Sequence, residues 1–166
     1  DQICPAIVGP TAAGKTSLVT ALAGRMALEV ISLDSRQIYH GLRIGTAQPT
    51  AEELAVCPHH LIDFVSPDEK YDAVRFRDDF EKVFSDIKSR GGVPVLVGGA
   101  GMYLTALRDG FMTIPGNSDE KLVSVRKEVA SWDRSKVRLE LKKTDPDSFD
   151  RIHPNDMYRS QRAMEI

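Results

Sequence analysis

Short β-branched apolar runs alternate along this chain with longer stretches whose apolar positions recur at helical spacing. Residues 3–8 read as a buried strand. Residues 15–25 read as a helix with Leu18, Leu22 and Ala23 on one face, and residues 28–32 as a second strand ending at Asp34. Thr50 with Glu53 forms a capping box that opens a short helix over 50–55, which Pro58 cannot extend. Over residues 73–90, Val74, Phe76, Phe80, Val83, Phe84 and Ile87 predict a helix that stops at Gly91-Gly92. Residues 93–97 are then a buried strand running through Gly98-Gly99-Ala100-Gly101 into a helix over 102–107. This repetition predicts an α/β fold, a doubly wound parallel sheet with its functional loops at the carboxyl ends of the strands, where Asp34 and Gly98 fall.

From Pro115 to about Pro146 the pattern changes to charged helical stretches, 122–132 and 135–143, with few apolar positions. Two readings are open: a solvated helical hairpin, or an excursion that contacts a macromolecular substrate. We therefore expect a core over 1–114, a small charged helical insertion over 115–146, and a return to the core over 147–166. The chain starts without Met and stops at Met164-Glu165-Ile166 inside a helical pattern with no cap, so a fragment is expected.

Composition narrows the function classes. With 42% hydrophobic and 28% charged residues the chain is not disordered, and a net charge of −2 gives no global signature of a nucleic-acid binder. Any such partner must be gripped locally, and Arg151, His153, Arg159 and Arg162 form the one evident basic cluster. Cys4 and Cys57 have no metal-ligand spacing and read as reduced thiols, which favours the cytoplasm. No apolar stretch approaches the length of a membrane span.

The first strand passes straight into Gly9-Pro10-Thr11-Ala12-Ala13-Gly14-Lys15-Thr16-Ser17, a full match to the P-loop pattern. Its backbone N–H groups form an anion nest, Lys15 reaches the terminal phosphate, the Thr16 hydroxyl can ligate Mg²⁺, and the following helix points its N-terminus at the same anion. The loop by itself leaves open which phosphate compound is held. A second chemical segment is Asp34-Ser35-Arg36-Gln37. At the end of the second strand, Asp34 would lie beside the bound phosphates as a Mg²⁺ ligand, a general base or both, or would simply cap a turn. The amide of Gln37 is equipped to read an adenine edge.

Gly9 to Ser17, Asp34-Ser35-Arg36-Gln37-Ile38-Tyr39-His40-Gly41-Leu42-Arg43-Ile44-Gly45-Thr46-Ala47, Pro58-His59-His60-Leu61-Ile62-Asp63, Val95-Leu96-Val97-Gly98-Gly99-Ala100-Gly101-Met102-Tyr103 and Arg151-Ile152-His153-Pro154-Asn155-Asp156 through Arg162-Ala163 together resemble the tRNA dimethylallyltransferase family, in family order. The resemblance implies transfer of a dimethylallyl group from dimethylallyl diphosphate to N6 of the adenosine on the 3′ side of the tRNA anticodon, with Mg²⁺ and release of diphosphate. It implies that residues 9–16 bind the diphosphate, that Asp34, Lys15 and Thr16 are catalytic, and that Thr16 and Asp34 meet the metal. It further implies tRNA contacts at Asp34, Ser35, Arg36, Gln37, Ala100, Tyr158, Arg159, Ser160, Gln161 and Arg162. The expected partners are the tRNA anticodon stem-loop and dimethylallyl diphosphate, with no membrane, and a monomer is expected.

Two positions depart from the family pattern: Ala100 stands where Thr is usual, and Gln48 where Lys is usual. The family also continues beyond this point with further helices and a basic residue at the diphosphate, so weak binding or no turnover is expected of this stretch alone. Three other readings compete. A P-loop small-molecule kinase would need an acidic residue ending the strand over 93–97, where Gly98-Gly99 stands. An adenylate, cytokinin-forming prenyltransferase shares fold and chemistry, but the blocks at 58–63 and 153–156 favour the tRNA enzyme. A non-catalytic tRNA-binding remnant is the third.

Overall fold

The computed structural model describes residues 3–110 and 119–165. The chain divides into two compact units, Asp1–Phe111 and Met112–Ile166. The first contains β1 (Ala6–Val8), α1 (Lys15–Ala23), β2 (Leu28–Leu33), α2 (Arg43–Thr46), α3 (Ala51–Val56), β3 (His59–His60), α4 (Ala73–Ser89), β4 (Val93–Gly98) and α5 (Gly101–Asp109). Its sheet has the order β1-β4-β2-β3, and every pairing is parallel. The last strand in sequence thus lies between the first two, with Val97 opposite both Ile7 and Ser32.

Strand residues alternate between two cores, as a sheet covered on both faces requires. Ile31, Leu33 and Leu96 pack with Phe76, Phe84 and Ile87 of α4 and Tyr103 and Ala106 of α5. Leu28, Val30, Val95 and Val97 pack on the other face with Val19 of α1 and with Cys57. The doubly wound expectation therefore holds. The capping box is present as read, with Thr50 and Glu53 bonded reciprocally. β1 starts at Ala6, three residues later than the apolar run, with Ala6, Ile7 and Val8 in register with Leu96, Val97 and Gly98 of β4. The sequence reading missed α2, β3 and α8, all too short for a periodic signal.

The second unit contains α6 (Asp119–Ala130), α7 (Arg134–Thr144), α8 (Pro146–Arg151) and α9 (Met157–Met164). This corrects the expected return of 147–166 to the core: α8 and α9 belong to the same unit as α6 and α7. The expected start of the insertion at Pro115 lies outside the described residues. The few apolar positions suffice for a small core because Val129, Val137 and Leu141 are buried, and because Arg138 lays its guanidinium 3.9 Å from the Phe149 ring centroid while donating to the carbonyls of Phe149 and Ile152.

At the amino end of the sheet, away from the strand ends that face the P-loop, buried Glu29 accepts from both terminal nitrogens of Arg90 at 2.7 and 3.1 Å and lies 2.7 Å from His60 Nε2. The Arg90 guanidinium is the main reason that the Glu29 carboxyl stays below its usual range, against the opposing effect of burial. A carboxyl whose folded pKa is depressed stabilises the fold above its unfolded value of about 4.3 and loses that contribution as pH falls through the folded value. Because Arg90 is half exposed, the loss in Glu29→Gln is set at about 1.5–3 kcal/mol, the range for a charged hydrogen bond and below that of a fully buried pair. Chemical denaturation at several pH values should find that difference near neutrality and see it shrink below about pH 4.

Candidate active site

The carboxyl ends of β1, β4 and β2 meet in one place. The Gly9 N–H donates to the Gly98 carbonyl at 3.2 Å, and the Leu33 carbonyl accepts from both Gly99 and Ala100 N–H at 3.0 Å. A Cβ added at Gly98 would lie 2.1 Å from the Leu33 carbonyl oxygen, so no side chain fits there. The acidic residue that a P-loop kinase needs at the end of this strand is thereby sterically excluded.

A cavity of about 740 Å³ opens over these ends. It is lined by residues 9–17, by Asp34, Ser35, Arg36 and Gln37, by Thr46 and Ala47, and by Val97 to Ala100. Every core-unit residue expected at the site from sequence is therefore gathered in one cavity, and Asp34 stands on the same side of the sheet as Lys15. The P-loop turns through left-handed backbone at Ala12 and Gly14 (φ 64° and 78°), after which α1 starts at Lys15 with its free N–H groups toward the cavity. At Gly14 the conformation suits only glycine comfortably, whereas at Ala12 it stores strain. Lys15 Nζ donates to the carbonyls of Gly9 and Pro10 at 2.9 and 2.7 Å, lying across its own loop. An anion in the loop would compete with those carbonyls for the ammonium. Lys15 and Arg36 give the cavity two cations and Asp34 one anion.

Asp34 Oδ1 accepts from the N–H groups of Arg36 and Gln37 at 2.8 and 3.2 Å. The turn-capping reading and the chemical one are thus both accommodated: one carboxylate oxygen fastens the turn, and the other has no hydrogen-bond partner among the described residues. Gln37 is less free than the sequence suggested. Its Nε2 donates to the Thr46 and Ala47 carbonyls at 3.2 and 3.0 Å, and its Oε1 accepts from Ser32 Oγ at 3.1 Å. A bidentate reading of an adenine edge is therefore blocked in this arrangement, since both amide hydrogens are committed and one lone pair on Oε1 remains. Ala100 borders the cavity as the N-cap of α5 with no side-chain cap, as expected where a hydroxyl is missing.

In the second unit, α9 carries the other expected RNA contacts. Tyr158 and Arg159 are exposed, but Arg159 pairs with Asp156, and Arg162 with Glu165. Ser160 is fully buried with its hydroxyl unpartnered among the described residues, and Gln161 Nε2 donates to the Val129 carbonyl at 3.4 Å. In this conformation Ser160 cannot touch RNA, because helix packing turns it inward while residues 158, 159 and 162 stay accessible.

Sequence reasoning assigned no role to Ser32, Thr46, Ala47 or Asp63. The 45–47 block was visible in the resemblance, yet nothing in it signals that its carbonyls receive the Gln37 amide. Asp63 Oδ1 accepts from the Gly41 N–H at 3.0 Å and its other oxygen pairs with Arg43 at 3.3 Å, which hold its carboxyl below the usual range.

The family model described as IPP transferase matches residues 37–166. A tRNA dimethylallyltransferase of Anaeromyxobacter dehalogenans is 45% identical over 160 residues, 96% of this chain and 54% of that protein. The full-length tRNA isopentenylpyrophosphate transferase of Bacillus halodurans is 40% identical with a TM-score of 0.66, over 99% of this chain and 55% of its own. A eukaryotic dimethylallyltransferase, captured in crystals acting on tRNA, is 32% identical with a TM-score of 0.80, over 98% of this chain and 40% of its own. The chain thus spans about half the length of the curated relatives it matches.

If the cavity grips a diphosphate, inorganic diphosphate with Mg²⁺ should stabilise the protein by about 2.7 kcal/mol at one hundred times Kd. Lys15→Ala should remove most of that gain in a thermal-shift titration. Stabilisation by ATP with none from diphosphate would reverse the assignment.

Proposed function

The chain belongs to the IPP transferase family, and from that premise we propose that the protein transfers a dimethylallyl group from dimethylallyl diphosphate to N6 of the adenosine 3′-adjacent to the anticodon in tRNA, releasing diphosphate. The observation that carries this reading is the placement of a complete P-loop and the Asp34 carboxylate in one cavity from which an acid on β4 is sterically excluded.

In the proposed reaction the allylic C–O bond breaks and its electron pair leaves with the diphosphate. The N6 lone pair forms the new C–N bond, and one N6 proton passes to the unengaged oxygen of Asp34. The loop N–H groups, the N-terminus of α1 and Lys15, released from the Gly9 and Pro10 carbonyls, stabilise charge as it grows on the leaving group. An exocyclic adenine amine is a weak nucleophile because its lone pair is delocalised into the ring. Proton acceptance by Asp34 during attack is worth about 10²- to 10⁴-fold. The fixed turn beneath Asp34 holds that base in place before substrate arrives.

Among the described residues no group of three or more His, Cys, Asp or Glu could hold a metal ion. The hard hydroxyl oxygen of Thr16 fits Mg²⁺ instead, which keeps few protein ligands and leans on substrate phosphates, while the Asp34 oxygen outside its turn is committed to the proton. When bound it would supply further charge stabilisation to the leaving diphosphate. No helix among the described residues is long and apolar enough to cross a membrane, and Cys4 and Cys57 are free thiols, which supports a cytoplasmic setting. Tyr158, Arg159 and Arg162 are the proposed tRNA contacts of the second unit.

The deciding experiment is a prenyl-transfer assay by the full-length polypeptide on anticodon stem-loop RNA against free AMP, with transfer to RNA expected. Asp34→Asn keeps size and hydrogen bonding but removes basicity, so kcat should fall by about 10² or more with little change in RNA affinity. Arg159→Ala and Arg162→Ala should instead weaken RNA binding and lower the salt slope by at most about one unit each, because each arginine already has a carboxylate partner. Near wild-type kcat in Asp34→Asn, with binding lost, would remove Asp34 as the base.

A further inference from the structure

Two glutamine amides hold the segment that carries Asp34: Gln37 fastens the backbone just before Gln48, and Gln48 fastens the backbone of Gln37 and Tyr39. Gln37 Nε2 donates to the carbonyls of Thr46 and Ala47, the two residues before Gln48. Gln48 Nε2 donates back to the carbonyls of Gln37 and Tyr39 at 2.8 and 3.2 Å. Both amide orientations are fixed by chemistry, since two carbonyl oxygens can be served only by an NH₂ group. Ala47 turns the chain through left-handed backbone (φ 51°), and the Gln48 N–H donates to the Arg43 carbonyl at 3.1 Å, so the Gln48 side chain is delivered to this point by its own loop.

The opposite side of the segment is also anchored. The Gln37 carbonyl accepts from the Asp63 N–H at 2.9 Å, the Ile38 carbonyl from Phe64 and Val65, and Ile38 itself is fully buried. The backbone N–H of Gln37 then donates to Asp34 Oδ1. A path of short contacts thus runs from the Gln48 amide to the Gln37 carbonyl, across the Gln37 backbone, and from its N–H to the carboxylate that lines the cavity.

We propose that Gln48 is a positioning residue: by clamping the Gln37–Tyr39 backbone it sets the orientation of the Asp34 carboxylate toward the acceptor amine. The proposal rests on the reading of Asp34 as the proton acceptor. It predicts a requirement for a hydrogen-bond donor at position 48 and none for the amide oxygen, which has no described partner. A lysine ammonium can serve the same two carbonyls, whereas an isosteric glutamate presents only further oxygens to them and breaks the clamp.

The test compares Gln48→Glu, Gln48→Ala and Gln48→Lys in the full-length polypeptide, with thermal stabilisation by inorganic diphosphate as the check that the P-loop remains folded. Misplacement of a reacting group by about 1 Å costs up to about 10²-fold, so kcat in the Glu and Ala variants should fall by about tenfold or more. The KM for dimethylallyl diphosphate should stay within about twofold, because uniform binding at the P-loop is untouched. Gln48→Lys should restore kcat. Hydrogen exchange at the Arg36, Gln37 and Asp63 amides should accelerate in the Glu and Ala variants and return to wild-type rates in the Lys variant. Wild-type kcat and exchange in Gln48→Glu, a KM effect without a kcat effect, or a Lys variant as impaired as the Glu variant would each overturn the proposal. Absence of prenyl transfer by the unsubstituted protein would instead overturn the functional reading, and the exchange rates alone would then decide the clamp.

Discussion

The contact on which the site depends is the close approach of the β4 end to the Leu33 backbone, possible only because Gly98 has no side chain. β4 lies between β1, which leads into the P-loop, and β2, which leads into Asp34. If Gly98 could not settle against Leu33, the Gly99 and Ala100 N–H groups would lose their shared acceptor, and the Gly98 carbonyl would not meet the Gly9 N–H. Three loops are thus held in register by one missing methyl group. The same steric fact removes any acid from the end of β4, so the architecture that assembles the cavity also steers its chemistry away from a kinase arrangement.

The two halves of the cavity are prepared differently. The Asp34 half is fastened by backbone hydrogen bonds to the carboxylate and by the Gln37 and Gln48 amides, an arrangement that fixes the carboxylate before any ligand arrives. The P-loop half keeps Lys15 folded onto its own carbonyls, an arrangement that satisfies a cation by contacts a diphosphate can replace. In the reaction proposed above, rigid placement serves proton acceptance by Asp34, and the exchangeable Lys15 contacts serve capture of the diphosphate.

The second unit solves a different problem, that of packing helices rich in charge. Arg138 covers Phe149 and saturates two carbonyls at the end of α8, while Lys136 lies 4.1 Å from the Trp132 ring centroid. Long basic side chains thus replace apolar ones as packing material, which is why a sparse apolar pattern still yields a compact unit.

The sequence by itself determined the phosphate loop, the parallel α/β class, the capping of α3 and the presence of Asp34 at a strand end, because glycine spacing, apolar periodicity and cap chemistry act over a few residues. Short elements such as α2 and β3 left no periodic trace, and the assignment of α8 and α9 to the second unit depended on packing that local pattern does not encode. At the site, the candidate residues were legible but their commitments were not. Gln37 read as a base-reading amide until Thr46, Ala47 and Ser32 were seen to consume it, and Ser160 read as an RNA contact until helix packing turned it inward. Composition fixes which donors and acceptors a chain owns. Only the tertiary structure decides which of them remain unspent, because that depends on partners far apart in sequence.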